Sequence, residues 1–87
     1  MTEIRSFVQA GVTTQPGYTH DYTFDVGKEA TRIMSYQIKQ DKGLEVVFIE
    51  LSEGTVTLRT VNTGMDISYP DSVIVYVAYE EEQDANK

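Results

Sequence analysis

The chain of 87 residues contains no cysteine and no tryptophan, a single histidine and two prolines. Without cysteine no disulfide can reinforce the fold, which argues against a disulfide-rich secreted module. No window approaches the ~18 consecutive apolar residues of a membrane-spanning helix. The first residues include Glu3 and Arg5 and lack the apolar run of a signal peptide. We therefore expect a protein made in a cytoplasm, with no membrane partner and no metal or other cofactor.

Basic residues are scarce, because seven Lys and Arg stand against fourteen Asp and Glu and give a net charge of −7. Residues 80–87 alone contribute −3, and we expect them to form a disordered acidic tail. An acidic chain is poorly suited to bind nucleic acid or anionic lipid through phosphate contacts. A basic protein partner, or mimicry of a nucleic acid, stays open.

No catalytic or metal-binding motif is present in the sequence. The lone histidine, His20, has no cysteine or second histidine to complete a metal site. Asp21 and Asp25 share the polar face of a predicted strand, about 13 Å apart by strand rise, which is too far for a pair of catalytic carboxylates. The serines lack a nucleophile-elbow motif and the glycines lack a phosphate-binding pattern. We therefore expect a protein that is not an enzyme.

What the sequence does contain is alternation of apolar and polar residues. In residues 18–26 the apolar or aromatic members occupy every second position, the period of a strand with one buried face. Similar alternation recurs to Tyr79, with Gly or Pro at most junctions, including a short segment over 65–69. This pattern predicts an all-β chain, folded as a compact antiparallel β-sandwich or small barrel of six to seven short strands.

The pattern predicts a single domain over residues 1–79. Its first strand is followed by seven loop residues, 11–17. Residues 1–17 are therefore either an arm that packs on a neighbouring molecule or an ordinary first strand and loop. In the strand predicted over 31–40, the inward positions are Met34, Tyr36 and Ile38.

Two predicted strands are apolar on both faces. In the segment 44–51, Leu44, Val46 and Phe48 alternate with Val47, Ile49 and Leu51, and the segment 73–79 has the same character. Such a strand is central or faces a partner. A small sandwich has a thin core, so we expect a homo-oligomer. The candidate interface residues are Phe7, Val8, Tyr18, Tyr22, Val47, Ile49, Leu51, Ile74 and Tyr76.

In size, cysteine-free composition, candidate arm and compact β-body, the chain resembles the decoration or cement proteins of tailed-phage capsids. The resemblance implies a protein without chemistry of its own that resides in the virion. Such a protein binds as a trimer or similar homo-oligomer to the major capsid protein, at junctions between capsid subunits.

The segment Gly54 to Tyr79 is similar to the closing strands of the H-type lectin domain, which is also a six-stranded sandwich. The similarity covers about a third of the chain and lacks the tryptophan near the end of the last strand. Six tyrosines lie on predicted strands, where they suit core packing, interfaces or sugar-binding faces. A carbohydrate-binding module and an acidic phage-encoded inhibitor of a nucleic-acid-binding host protein are therefore the alternative functions.

Overall fold

The computed structural model describes residues 2–80, which form six β-strands and no helix. The all-β prediction is therefore confirmed, and the acidic segment 81–87 lies outside the described residues. The strands are β1 (Thr2–Ala10), β2 (Thr19–Asp25), β3 (Arg32–Lys39), β4 (Leu44–Ser52), β5 (Thr55–Asn62) and β6 (Ser72–Glu80).

The six strands form two antiparallel sheets of three. One sheet has the order β1-β6-β3 and the other β2-β5-β4, so β6 and β5 are the central strands. The sheets pack face to face as a sandwich around one cluster of buried side chains. The first strand is paired with β6 along all nine of its residues, as an ordinary first strand and not as a free arm.

The core forms between the inward faces of the two central strands. Val56 and Leu58 of β5 have no exposed surface, and neither do Val73, Val75 and Val77 of β6. The period-two pattern places Val73, Val75 and Val77 on one face of their strand, and the structure shows that this face is the inward one. The neighbouring strand β2 completes the core with buried aromatic side chains, those of Tyr22 and Phe24.

The prediction that residues 44–51 form a strand with two apolar faces is wrong, because β4 contains a β-bulge. Val46 pairs with Thr60 and Phe48 with Arg59, so Val47 is an extra residue between them. The bulge shifts the face of every later residue by one position. Ile49 and Leu51 consequently turn inward with Val46 and pack on the core, while Phe48 faces outward. β4 is an edge strand and not a central one.

A second bulge, between Ile33 and Ser35 of β3, changes the predicted faces in the same way. Ile33 and Ile38 both pack against the core, although their spacing in sequence puts them on opposite faces of a regular strand. Ile38 pairs with Val73 and packs on the core, as predicted. Tyr36 was also predicted inward, but its side chain is 45% exposed. The inward assignment of Met34 is wrong, because Met34 is the extra residue of the bulge.

The segment 65–69 is not a strand. Its one ladder contact is an isolated bridge between Ser68 and Thr14 of the loop before β2. Both sheets are formed without it, so residues 2–80 contain six strands and not seven.

The hairpin between β4 and β5 closes in two residues, as its Ser-Glu-Gly sequence indicated. Glu53 and Gly54 both have positive φ, 51° and 82°, the pattern of a type I′ turn. A Cβ atom on Gly54 would lie 3.0 Å from the carbonyl carbon of Gly27. Glycine is thus required both by the turn and by the close approach of the loop after β2.

We predict that Leu58→Ala lowers the free energy of unfolding by about 2–5 kcal/mol, since it leaves a cavity between the two central strands. Phe48→Ala is the matched comparison. Phe48 is 40% exposed on the outer face, where Arg59 stacks 5.3 Å from its ring centroid. Its loss should cost about 1 kcal/mol or less. Urea denaturation measures both, and a larger loss for Phe48 would contradict the register of β4.

Candidate functional site

Within residues 2–80, the residues considered for catalysis or metal binding do not converge on one site. In residues 2–80 no group of three or more His, Cys, Asp or Glu could hold a metal ion. His20 is half-buried, with its ring edge-on to Tyr22 at 4.6 Å between centroids. Asp21 accepts a hydrogen bond from Arg59 at 2.7 Å, and this bond lowers the pKa of the Asp21 carboxyl. Nor does the described part of the chain contain a helix that is long and apolar enough to cross a membrane.

The first candidate surface is apolar and lies on the outer side of the β1-β6-β3 sheet. We call it the sheet face and define it by Ile4 and Val8 of β1 and Ile74 and Tyr76 of β6. Val8 lies directly opposite Ile74, and Tyr76 lies opposite Ser6. Ile4 is 54% exposed and Val8 60% exposed, while Ile74 and Tyr76 are half-buried.

The sheet face is almost free of charge. Among the outward positions of β1 and β6, the one ionised residue is Glu80, at the end of β6. Its carboxylate pairs with Arg32, which lies with Lys39 on the outward side of β3, at the two ends of that strand. The outer side of the other sheet, by contrast, carries Asp21, Arg59 and further acids on β4. An uncharged apolar face on an otherwise acidic molecule is typical of a contact surface.

The second candidate surface lies at one end of the sandwich, where the connections β1–β2, β3–β4 and β5–β6 meet. We call it the loop end. Its exposed apolar side chains are Tyr18, Met65, Ile67 and Tyr69, of which Met65 is 94% exposed. Beside them is a cleft of about 480 Å³, whose walls include Gln40, Lys42, Met65, Asp66, Ile67 and Tyr69.

The buried side chain of Asn62 holds two of these loops together, β1–β2 and β5–β6. Its Nδ2 donates to the carbonyl oxygens of Thr14 and Asp66, each at 2.9 Å. Its Oδ1 accepts from the Gly64 amide at 2.9 Å, and its own amide donates to the Tyr18 carbonyl. The Asn-Thr-Gly sequence is typical of a turn, but it does not indicate that this asparagine connects the β1–β2 and β5–β6 loops.

The structure divides the predicted interface residues into two groups. Five are at or near the surface: Val8, Ile74 and Tyr76 on the sheet face, Tyr18 at the loop end, and Val47, which is 54% exposed on the bulge of β4. The other four are corrected to core positions: Phe7, Ile49 and Leu51 pack against the core cluster, and Tyr22 is 1% exposed within it.

Ile4 belongs to the sheet face but was not among the predicted interface residues. The signal was present, because Ile4 has the same parity as Val8 in the first strand. It was missed because the sequence does not indicate that β1 is an edge strand. An edge strand leaves side chains exposed that a central strand would bury.

Comparison of the chain with protein-family models, curated proteins and solved structures finds no match. The proposed function therefore rests on the sheet face and the loop end. The resemblances to capsid decoration proteins and to H-type lectins remain expectations.

We predict that Asn62→Asp lowers the free energy of unfolding by about 3 kcal/mol or more. A carboxylate of the same shape cannot donate, so it leaves two buried carbonyl groups unpaired and faces them with negative charge. Gln37→Glu, the same change of an amide to an acid at an exposed position of β3, should change stability by about 0.5 kcal/mol or less. Equal effects of the two variants in urea denaturation would contradict the role of Asn62.

Proposed function

We propose that the chain is a non-enzymatic interaction protein that self-associates and binds a large protein assembly, of which a viral capsid is the leading candidate. The observation that carries the proposal is the uncharged sheet face. Its two most exposed members, Ile4 and Val8, lie on the outer surface of the same edge strand, on either side of Ser6.

Energetics favour covering this face. Full burial of a valine or isoleucine side chain contributes roughly 1.5–3 kcal/mol, which is large against the ~5–15 kcal/mol that stabilise an ordinary domain. Charge restricts where a copy can approach, since the chain is acidic and like charges oppose contact elsewhere. The sheet face is where this repulsion is weakest. The capsid part of the proposal draws on the resemblance in size and composition.

We predict that Val8→Glu abolishes self-association, because it places a charge within the apolar contact. Val47→Glu is the matched control, since Val47 is similarly exposed, at 54% against 60%, but belongs to the other sheet. Sedimentation velocity at micromolar concentration should give an oligomer for the unaltered chain and for Val47→Glu, and a monomer for Val8→Glu. The reverse pattern would move the contact to β4.

The same pair of variants tests the capsid part. Gradient-purified phage particles from a lysate that contains the protein should carry it in a fixed ratio to the major capsid protein. Val8→Glu should lower this ratio, and Val47→Glu should not. Absence of the unaltered chain from purified particles counts against a capsid and leaves self-association to be judged by sedimentation.

A second candidate function is carbohydrate binding at the loop end. The observation that favours it is the exposed aromatic side chain of Tyr69 beside Asp66 at a cleft. Aromatic faces with nearby polar groups suit sugar rings. A sandwich of six strands in two sheets also agrees with the expectation from the H-type lectin resemblance, although a fold does not fix a function.

We predict that Tyr69→Ala separates the two candidates. A carbohydrate-binding protein should give glycan-array signals above background, and loss of the aromatic ring should abolish them. An interaction protein that uses the sheet face should keep its oligomeric state in Tyr69→Ala. No array signal for the unaltered chain would remove the carbohydrate candidate.

The acidic-inhibitor alternative needs acids aligned along one stripe. On the outer side of the β2-β5-β4 sheet, Asp21 and Asp25 lie on one edge strand and Glu45 and Glu50 on the other. Arg59 of the central strand lies between them and pairs with Asp21. No observation in residues 2–80 favours this alternative.

A further inference from the structure

Edge strands are the places where a sandwich can extend by pairing with another chain, and the two sheets of residues 2–80 have four of them. The edges β3 and β4 each contain a bulge, which disfavours continued pairing. The Gln9 side chain donates to the Thr23 carbonyl and so occupies part of the β2 edge. The β1 edge is nine residues long and runs without any register shift.

The open side of β1 has main-chain groups free to pair. Within the described residues, no hydrogen bond outside the β1–β6 ladder reaches the main chain of Thr2–Ala10. A row of unpaired N–H and C=O groups on a regular strand is a template for strand addition.

Charge selects β1 as the edge that can meet its own copy. β2 and β4 each contain two acids and no Lys or Arg, and β3 contains Arg32 and Lys39. Each of these strands would therefore repel the same strand of a second copy. In β1, Glu3 and Arg5 pair with each other at 2.9 Å and leave no net charge. Two-fold self-pairing is therefore electrostatically neutral only for this edge.

We propose that two copies of the chain pair antiparallel through β1, with Ser6 on a two-fold axis normal to the sheet. The occupant of the edge is thus a second copy, and the inference rests on the self-association of the proposed function. Ser6 is the midpoint of Thr2–Ala10, so this register pairs the whole strand. This register also keeps the outer faces of both copies on the same side of the joined sheet.

The side chains fit this register. Residues directly opposite one another in an antiparallel pair point to the same face. Ile4 consequently packs beside Val8 of the partner subunit, which joins the two most exposed residues of the sheet face across the axis. Arg5, whose guanidinium lies over the Tyr79 ring of its own chain at 4.3 Å, falls opposite Phe7 of the partner subunit.

Registers with the axis at Arg5, Ile4 or Val8 are less favourable. An axis at Arg5 places Arg5 opposite its own copy, and like charges directly opposite are destabilising. An axis at Ile4 or at Val8 pairs only about half of the strand and leaves the other apolar residue uncovered. The Ser6 register joins the sheets as β3-β6-β1 followed by the partner's β1-β6-β3. Its six strands then present one widened apolar face to an assembly.

Cysteine substitution tests the register directly, because the chain has no cysteine of its own. Ser6→Cys should form a covalent dimer of about twice 9.8 kDa on mild oxidation, since opposite Cα atoms of a strand pair lie within disulfide range. In Ile4→Cys and in Val8→Cys, the two equivalent residues lie about 13 Å apart by strand rise, beyond that range. Both should stay uncrosslinked, as should Thr23→Cys on the β2 edge.

A second pair of variants does not depend on disulfide geometry. Ser6→Lys places two ammonium groups together on the axis and should convert the oligomer to a form of half the mass in sedimentation velocity. Ser35→Lys, also exposed but on β3, should leave the mass unchanged.

The outcomes separate this inference from the proposed function. Crosslinking of Ile4→Cys or Val8→Cys in place of Ser6→Cys overturns the register. An unaltered chain that self-associates, together with Ser6→Lys of unchanged mass, overturns pairing through β1 and leaves self-association standing. A monomeric unaltered chain at micromolar concentration overturns both, and the β1 edge is then open to a strand of a different protein.

Discussion

The packing of β5 against β6 is the interaction on which the rest of the molecule depends. With three strands in each sheet, one strand per sheet has neighbours on both sides, and only these two can bury an inward face completely. Val56 and Leu58 meet Val73, Val75 and Val77 with no exposed surface. Of the flanking strands, β2 adds the buried rings of Tyr22 and Phe24, whereas β1, β3 and β4 add residues that are only partly buried. The thin core of a small domain is here centred on one pair of strands.

The open sides of the edge strands account for the bulges and charges that lie along them. Bulges interrupt β3 and β4, and acids lie along β2 and β4. These are the devices by which sandwiches avoid unwanted pairing. β1 has neither a bulge nor net charge, and it borders the apolar sheet face. The absence of protection at one edge of a molecule that protects the others is the physical basis for placing a contact there.

The loop end is organised by different forces. Its order comes from hydrogen bonds centred on Asn62, whereas the sheets are held by apolar burial. This separation lets the exposed residues Met65, Ile67 and Tyr69 be presented on a fixed backbone without contributing to the core. The molecule therefore offers two surfaces of different character. The sheet face is flat and uncharged, and the loop end is formed by loops around a cleft.

The sequence by itself determined the fold class and which residues share a face in the regular strands, because period-two alternation acts locally and no bulge interrupts β2, β5 or the first residues of β6. It also indicated Val8, Ile74 and Tyr76 as surface candidates. Only the tertiary structure decided that Ile49 and Leu51 lie inside, that Phe48 lies outside, and that Asn62 joins two loops. One extra residue in a bulge reverses every later face, and its position depends on the partner strand. The chain alone cannot specify that partner, since long-range pairing selects it.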